Sequence, residues 1–169
     1  MSNGTKWTAE DVARLGMKKA KNMSQAEFRE WNRVRFANRK HTTLKDEGDF
    51  VTLRIDYKGD LIGLNEYKTM HWTKLRRKYK PIKDAFFELI ASQRPPSLSF
   101  FELYVYHNTD YDIDNLTGTV KPFVDALRGL GVAPEDDKRY WDHLSIRYAP
   151  QIEKGSVVFE VKGYKKKKI

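Results

Sequence analysis

The chain contains no cysteine. Disulfides, cysteine zinc sites, iron–sulfur clusters and thiol catalysis are therefore excluded. Histidine is scarce: His41, His71, His107 and His143 are scattered and show no ligand spacing, so zinc is a poor expectation. No apolar run approaches the ~18 residues of a membrane-spanning helix, and no membrane partner is expected. The opening residues MSNGTKWTAED lack the apolar stretch of a secretory signal, which points to the cytoplasm. No internal repeat is visible. What remains is the composition of a globular domain. Of 169 residues, 40% are hydrophobic and 33% charged, with 9 Phe, 9 Tyr and 4 Trp. That is enough apolar material for a core, so wholesale disorder is excluded. The net charge of +9 suggests a polyanionic partner, nucleic acid first.

The charge is unevenly placed. Between Lys68 and Lys83 lie seven bases and no acid: Lys68, Lys74, Arg76, Arg77, Lys78, Lys80 and Lys83. Tyr67, His71, Trp72 and Tyr79 are interleaved with them. This is either a solvated helix face or a phosphate-binding surface, with Trp72 or Tyr79 as a base-stacking platform. From Asp110 to Asp137 the balance reverses, with seven acids against Lys121 and Arg128. Carboxylates repel phosphate, and a divalent cation between them removes the conflict.

Periodicity divides the chain into three parts. Residues 1–48 read as a basic helical extension and linker. Helices are expected over Thr8–Lys21 and, from a capping box at Ser24–Glu27, to about Arg39. Residues 40–49 read as a linker. Residues 49–163 form the main domain, and 164–169 a lysine-rich tail. Val51, Leu53, Ile55 and Tyr57 alternate as a strand. A helix follows from about Trp72 to Ser92, with a kink or restart expected at Pro81. Ser99–His107 reads as a buried strand. Pro122 belongs in a first helical turn, so the next helix is expected to begin near Lys121. Strands at 144–148 and 157–161 are expected to pair as a hairpin across Pro150–Gly155. The sum is an α/β (α+β) fold of order β-α-β-α-β-β, with a small mixed sheet of about four strands and two main helices.

The segment Tyr111-Asp112-Ile113-Asp114-Asn115-Leu116 is the sharpest chemical signal. On extended chain, residues two apart point the same way, so Asp112 and Asp114 present two carboxylates to one site. Asp136 and Asp137 lie in the loop before the next strand, and such loops can gather at one end of a sheet. Three or four hard oxygens would suit Mg²⁺, with Mn²⁺ as a substitute. Against this, a D-x-D is more often a turn or a cap. Lys121 stands four residues before Asp125. It is either a phosphate-holding group near the helix start or one half of a surface ion pair.

These strings together resemble the RusA-type Holliday-junction resolvases. The resemblance rests on D-I-D-N-L, Lys121-Pro122, Asp125-Ala126-Leu127, Gly131-Val132 and Asp136-Asp137. Leu64-Asn65-Glu66-Tyr67, ahead of the basic stretch, and the expected closing hairpin also fit. It covers roughly residues 50–163. It implies a homodimeric, metal-dependent endodeoxyribonuclease that resolves four-way junctions by paired nicks. The essential aspartates fall on Asp112, Asp114 and Asp137, with Asp136 as the rival, and the lysine falls on Lys121. Asn65, Tyr67, Lys68, Lys74, Arg76, Arg77, Lys78 and Lys80 would hold the DNA arms. One departure stands out. The shortest family pattern has the lysine four residues after the second aspartate, and here it comes seven after. Thr117-Gly118-Thr119 reads as an insertion that a glycine-containing loop absorbs. The alternatives are a noncatalytic branched-DNA-binding module and a flap nuclease.

Overall fold

The computed structural model describes residues 42–134 and 139–167. The expected helices at Thr8–Lys21 and Ser24–Arg39 lie outside the described residues, as do Asp136, Asp137 and Lys168.

The described chain is α+β, built on one five-stranded sheet with three helices. The strands are β1 (Thr43–Glu47), β2 (Phe50–Tyr57), β3 (Leu98–His107), β4 (Trp141–Tyr148) and β5 (Val157–Lys165). The helices are α1 (Leu64–Thr69), α2 (Trp72–Gln93) and α3 (Ile113–Gly129). The sheet order is β1-β2-β5-β3-β4. Only β3 and β4 run parallel, joined by the α3 crossover. Every other neighbouring pair is antiparallel.

Strict alternation buries one face of β2 through Val51, Leu53, Ile55 and Tyr57. β3 does the same through Phe101, Leu103, Val105 and His107. α2 sets Ile82, Phe86, Leu89 and Ile90 against that face, and α3 adds Leu116, Val120, Phe123 and Leu127. Three phenylalanines lock the layers. Phe123 stacks on Phe159 of β5 at 4.2 Å between ring centres, and Phe86 meets both edge-on at 5.0 and 5.3 Å. Truncating any one to alanine would cost about 3–5 kcal/mol.

Four expectations are corrected. Residues 43–47 are strand rather than linker, paired to β2 through a turn at Gly48. β4 and β5 form no hairpin, because β3 lies between them and β5 is central. With β1 added, the strand count among the described residues is five. The lysine-rich tail starts later than residue 164: Tyr164 and Lys165 belong to β5, and the Lys165 ammonium sits 2.6 Å from Asp46 Oδ1. Lastly, α3 begins at Ile113, so Pro122 lies inside it. A mid-helix proline forfeits one hydrogen bond and crowds the carbonyl four residues back. Here that residue is glycine, Gly118, and the packing described below holds the turn. Pro81 likewise lies within a continuous α2, on its exposed side, where water can serve the carbonyl left unbonded.

Candidate functional site

α3 leaves the His107 end of β3 through the loop 108–112. Asp112 is its N-cap residue and Asp114 sits in its first turn. The two are therefore not an extended pair with side chains aligned, as expected from the sequence. They flank the positive end of a 17-residue helix. Both are exposed, and Asp112 makes no capping bond with its side chain. Neither carboxylate takes a hydrogen bond or ion pair from a described residue. Asp112 thus meets the expectation of a cap in position though without a side-chain bond, and Asp114 stands where the helix dipole favours an acid.

The next residues of the motif are structural. Asn115 Oδ1 accepts the backbone N–H of Asn65 at 3.1 Å, capping α1 from outside. The Thr119 hydroxyl accepts from Ile62 N at 3.1 Å and donates to Ile62 O at 2.9 Å. Between them Gly118 lies against the backbone of residues 62–64, where a Cβ would stand 2.5 Å from three main-chain atoms. Asn115, Gly118 and Thr119 fall at i, i+3 and i+4 on one helix face. They clamp the segment that leads into α1. Thr117-Gly118-Thr119 is thus a helical turn rather than an inserted loop. The clamp joins the two strings Leu64–Tyr67 and Asp112–Leu116, about fifty residues apart in the chain.

Lys121 is the ninth residue of α3, not near its start. Seven residues is almost two turns, so it lies within about 20° of Asp114 around the axis and ~10 Å along it. Its ammonium stands 3.5 Å from Asp125 Oδ1, with 58% of the side chain exposed. Asp125 is a hub. It accepts the Tyr79 hydroxyl and also lies 3.9 Å from the Arg128 guanidinium. Burial, then the Asp125 hydrogen bond, pushes the Tyr79 phenol up. Tyr67 packs edge-on to Tyr79 at 6.3 Å. Burial first, then Asp125, raises its phenol as well, and its hydroxyl is buried without a hydrogen bond from any described residue. Tyr67 and Tyr79 therefore face inward, against the expectation that Tyr67 contacts DNA or that Tyr79 stacks on a base. Trp72, at the head of α2, is 65% exposed.

The basic residues split into two groups. Lys68, Lys74, Arg76 and Arg77 are exposed and make no ion pair with a described residue. Lys78 instead pairs with Glu66, which also accepts Gly63 N at 2.7 Å. Burial raises the Glu66 carboxyl, but these two partners outweigh it and hold the group below its usual range. Lys80 pairs with Asp84 at 2.9 Å. Asn65 is exposed on α1.

Sequence reasoning missed a cavity of about 400 Å³ at the same end of the sheet. Asp60, Asp110, Tyr111, Lys78 and Lys154 line it. Asp110 lay in the acidic stretch, but nothing in its spacing tied it to Asp60 or Lys154.

The remaining acidic pair, Asp136 and Asp137, lies outside the described residues. The residues bracketing Asp136 and Asp137 sit beside the start of β3: Leu98 N donates to Val132 O, and Phe101 N to Tyr140 O, each at 2.8 Å. Asp112 and Asp114 stand beyond its other terminus. A parallel crossover imposes this, because the loop after one strand and the loop before the next lie at opposite ends. Among the described residues no three His, Asp or Glu side chains are grouped to hold a metal ion.

No family model matches the chain, and no curated protein does. Among solved structures the chain is similar to the OmpA-like domain of FopA1 from Francisella tularensis subsp. tularensis SCHU S4. The identity is 15% and the TM-score 0.34, over 74% of this chain and 81% of that one. It is also similar to AaThiL complexed with AMPPCP and TMP, at 10% identity and a TM-score of 0.29, over 94% of this chain and 44% of that one. Likenesses this distant carry no functional argument. No helix among the described residues is long and apolar enough to cross a membrane.

Proposed function

We propose that this protein is a metal-dependent, structure-selective DNA endonuclease of the RusA type, resolving four-way junctions by paired nicks in the bacterial or phage-infected cytoplasm. One observation carries the reading. The Asn115–Asn65 tie joins the two strings that resemble the family, and beside it Asp112 and Asp114 remain uncommitted. The exposed bases Lys68, Lys74, Arg76 and Arg77 supply phosphate contacts on α1 and α2. Two free carboxylates fit Mg²⁺ or Mn²⁺, hard cations that take oxygen ligands and keep several waters. Bound there, the cation would activate water and stabilise charge on the phosphate. Lys121, on the Asp114 side of α3, would hold phosphate once DNA competes with Asp125 for its ammonium.

The test is cleavage of a synthetic four-way junction in Mg²⁺, Mn²⁺ or EDTA, with linear duplex and flap DNA as controls. Metal-dependent paired nicks on the junction are expected, abolished in Asp114→Asn with binding retained. Full activity of that variant would refute the metal assignment. Tight junction binding without cleavage in any metal would favour the noncatalytic binding module, which the Lys121–Asp125 pair supports. Preferential flap cleavage would favour the third reading.

A further inference from the structure

Asp125 divides its two carboxylate oxygens between two helices. Oδ2 accepts the hydroxyl of Tyr79 on α2. Oδ1 faces Lys121 at 3.5 Å and Arg128 at 3.9 Å, both on α3 with it. The Asp125 side chain is 18% exposed and that of Lys121 58%. The carboxylate is thus the fixed member of this pair and the ammonium the one with room to move. Tyr79 is held from its other side. Tyr67 of α1 packs edge-on against its ring, and the adjacent Lys78 pairs with Glu66 of α1. Asn115, in the first turn of α3, caps α1 in turn through the Asn65 N–H. A line of contacts therefore leaves the start of α3, crosses α1 and α2, and returns to α3 at Asp125. A charge-assisted N–H···O bond closes to about 2.7–2.9 Å. The Lys121 contact is longer. With Oδ2 engaged by Tyr79, the carboxylate cannot turn to meet the cations with both oxygens.

We propose that Asp125 and Tyr79 are positioning residues for Lys121. The Tyr79 hydroxyl locks the carboxylate. Its remaining oxygen holds the ammonium on the Asp114 side of α3, loosely enough to pass to a phosphate oxygen. Without the hydroxyl, the carboxylate would turn onto Lys121 and Arg128 and keep the ammonium from DNA. The phosphate served is that of the nuclease reading, on which this assignment rests.

The test is a double-mutant cycle on the full chain. Wild type, Tyr79→Phe, Lys121→Ala and the double variant are compared in junction binding in EDTA and in single-turnover nicking in Mg²⁺. Thermal unfolding checks that each keeps its fold. Tyr79→Phe keeps the ring against Tyr67 and removes only the hydroxyl. It should slow nicking about 10-fold, since a ~1 Å misplacement can cost as much as ~10²-fold. It should also flatten the log–log salt dependence of binding by up to ~0.9, the value of one phosphate contact, as Lys121→Ala does. With Lys121 already replaced by alanine, Tyr79→Phe should change neither. Falls of the same size on both backgrounds, or none on wild type, overturn the proposal and leave the Tyr79–Asp125 bond as helix packing. If Tyr79→Phe fails to fold, Asp125→Asn takes its place in the cycle, again slowing nicking only where Lys121 is present. Junction binding without nicking removes the nuclease reading alone, and the salt slopes then decide the positioning role. Nicking with additive losses removes the positioning role alone. Absence of junction binding removes both.

Discussion

Gly118→Ala tests the clamp between α3 and the segment leading into α1. In an isolated helix this change would stabilise by about 1 kcal/mol. The structure reverses the sign. The new Cβ would lie 2.5 Å from Ile62 O, Gly63 C and Leu64 N. Non-bonded contact needs about 3.5 Å, so main chain must retreat by about 1 Å. No flexible side chain is present to yield. Overpacking of this kind costs about 1–3 kcal/mol. Retreat also stretches the two Thr119–Ile62 hydrogen bonds and the Asn115–Asn65 bond, each worth about 0.5–1.5 kcal/mol. With part of those bonds lost and the propensity gain subtracted, the net cost is about 2 kcal/mol. At roughly 4 °C per kcal/mol for a domain of this size, Tm should fall by roughly 8 °C. Gly129→Ala, at the end of the same helix, is the control. Its Cβ would meet only the Phe87 ring, at 3.3 Å or more. It should be neutral within about 0.5 kcal/mol. Thermal and urea unfolding read both. A Gly118→Ala protein as stable as wild type, or a Gly129→Ala protein equally damaged, would refute the clamp.

Two further outcomes follow from the same geometry. Burial lowers the His107 imidazole below its ordinary value, and its Nε2 has no hydrogen-bond partner among the described residues. The unfolded chain then binds the proton first, so stability should fall as pH drops below about 6.5; His107→Phe should shrink the Tm difference between pH 7.5 and 5.5, and an unchanged difference would count against the burial argument. For the acidic set, neither Asp114→Asn nor Asp137→Asn should cleave junctions alone. Nicking regained by a mixture of the two would place the ligands of one site on two chains, and no rescue at all would place them in one chain.

Much of the fold was legible in the sequence because burial writes a period. β2, β3 and β5 alternate, and α2 repeats Ile82, Phe86, Leu89 and Ile90 on one face. β1 was not legible, because a charged, exposed edge strand has no buried face to mark it. The order of β4 and β5 was misread because sequence neighbours need not be sheet neighbours. Whether β5 turns back beside β4 or inserts beside β3 depends on what β2 and β3 leave open between them. The start of α3 was misread at Pro122, since a proline mid-helix is ordinarily costly. Gly118 four residues earlier, and the Thr119 tie to Ile62, hold this turn in place.

The candidate site shows a sharper division. In the string from Asp112 to Lys121, spacing cannot tell architecture from chemistry, because both kinds of residue are polar and close together. Partners separate them. Asn115 and Thr119 have every reason to be present in a protein that never touches DNA, since they hold α1 in place. Asp112 and Asp114 have a weaker one. An uncommitted carboxylate at a helix N-terminus gains modestly from the dipole, and one at the cap or in the first turn already captures most of that gain. Two exposed acids there, on a chain with nine more positive charges than negative, are poor phosphate neighbours and good cation ligands. The residues that carry the resemblance thus divide into a clamp that fixes where the helix begins and a pair of acids that the clamp leaves free. It is that free pair, rather than the motif as a whole, on which the nuclease reading stands.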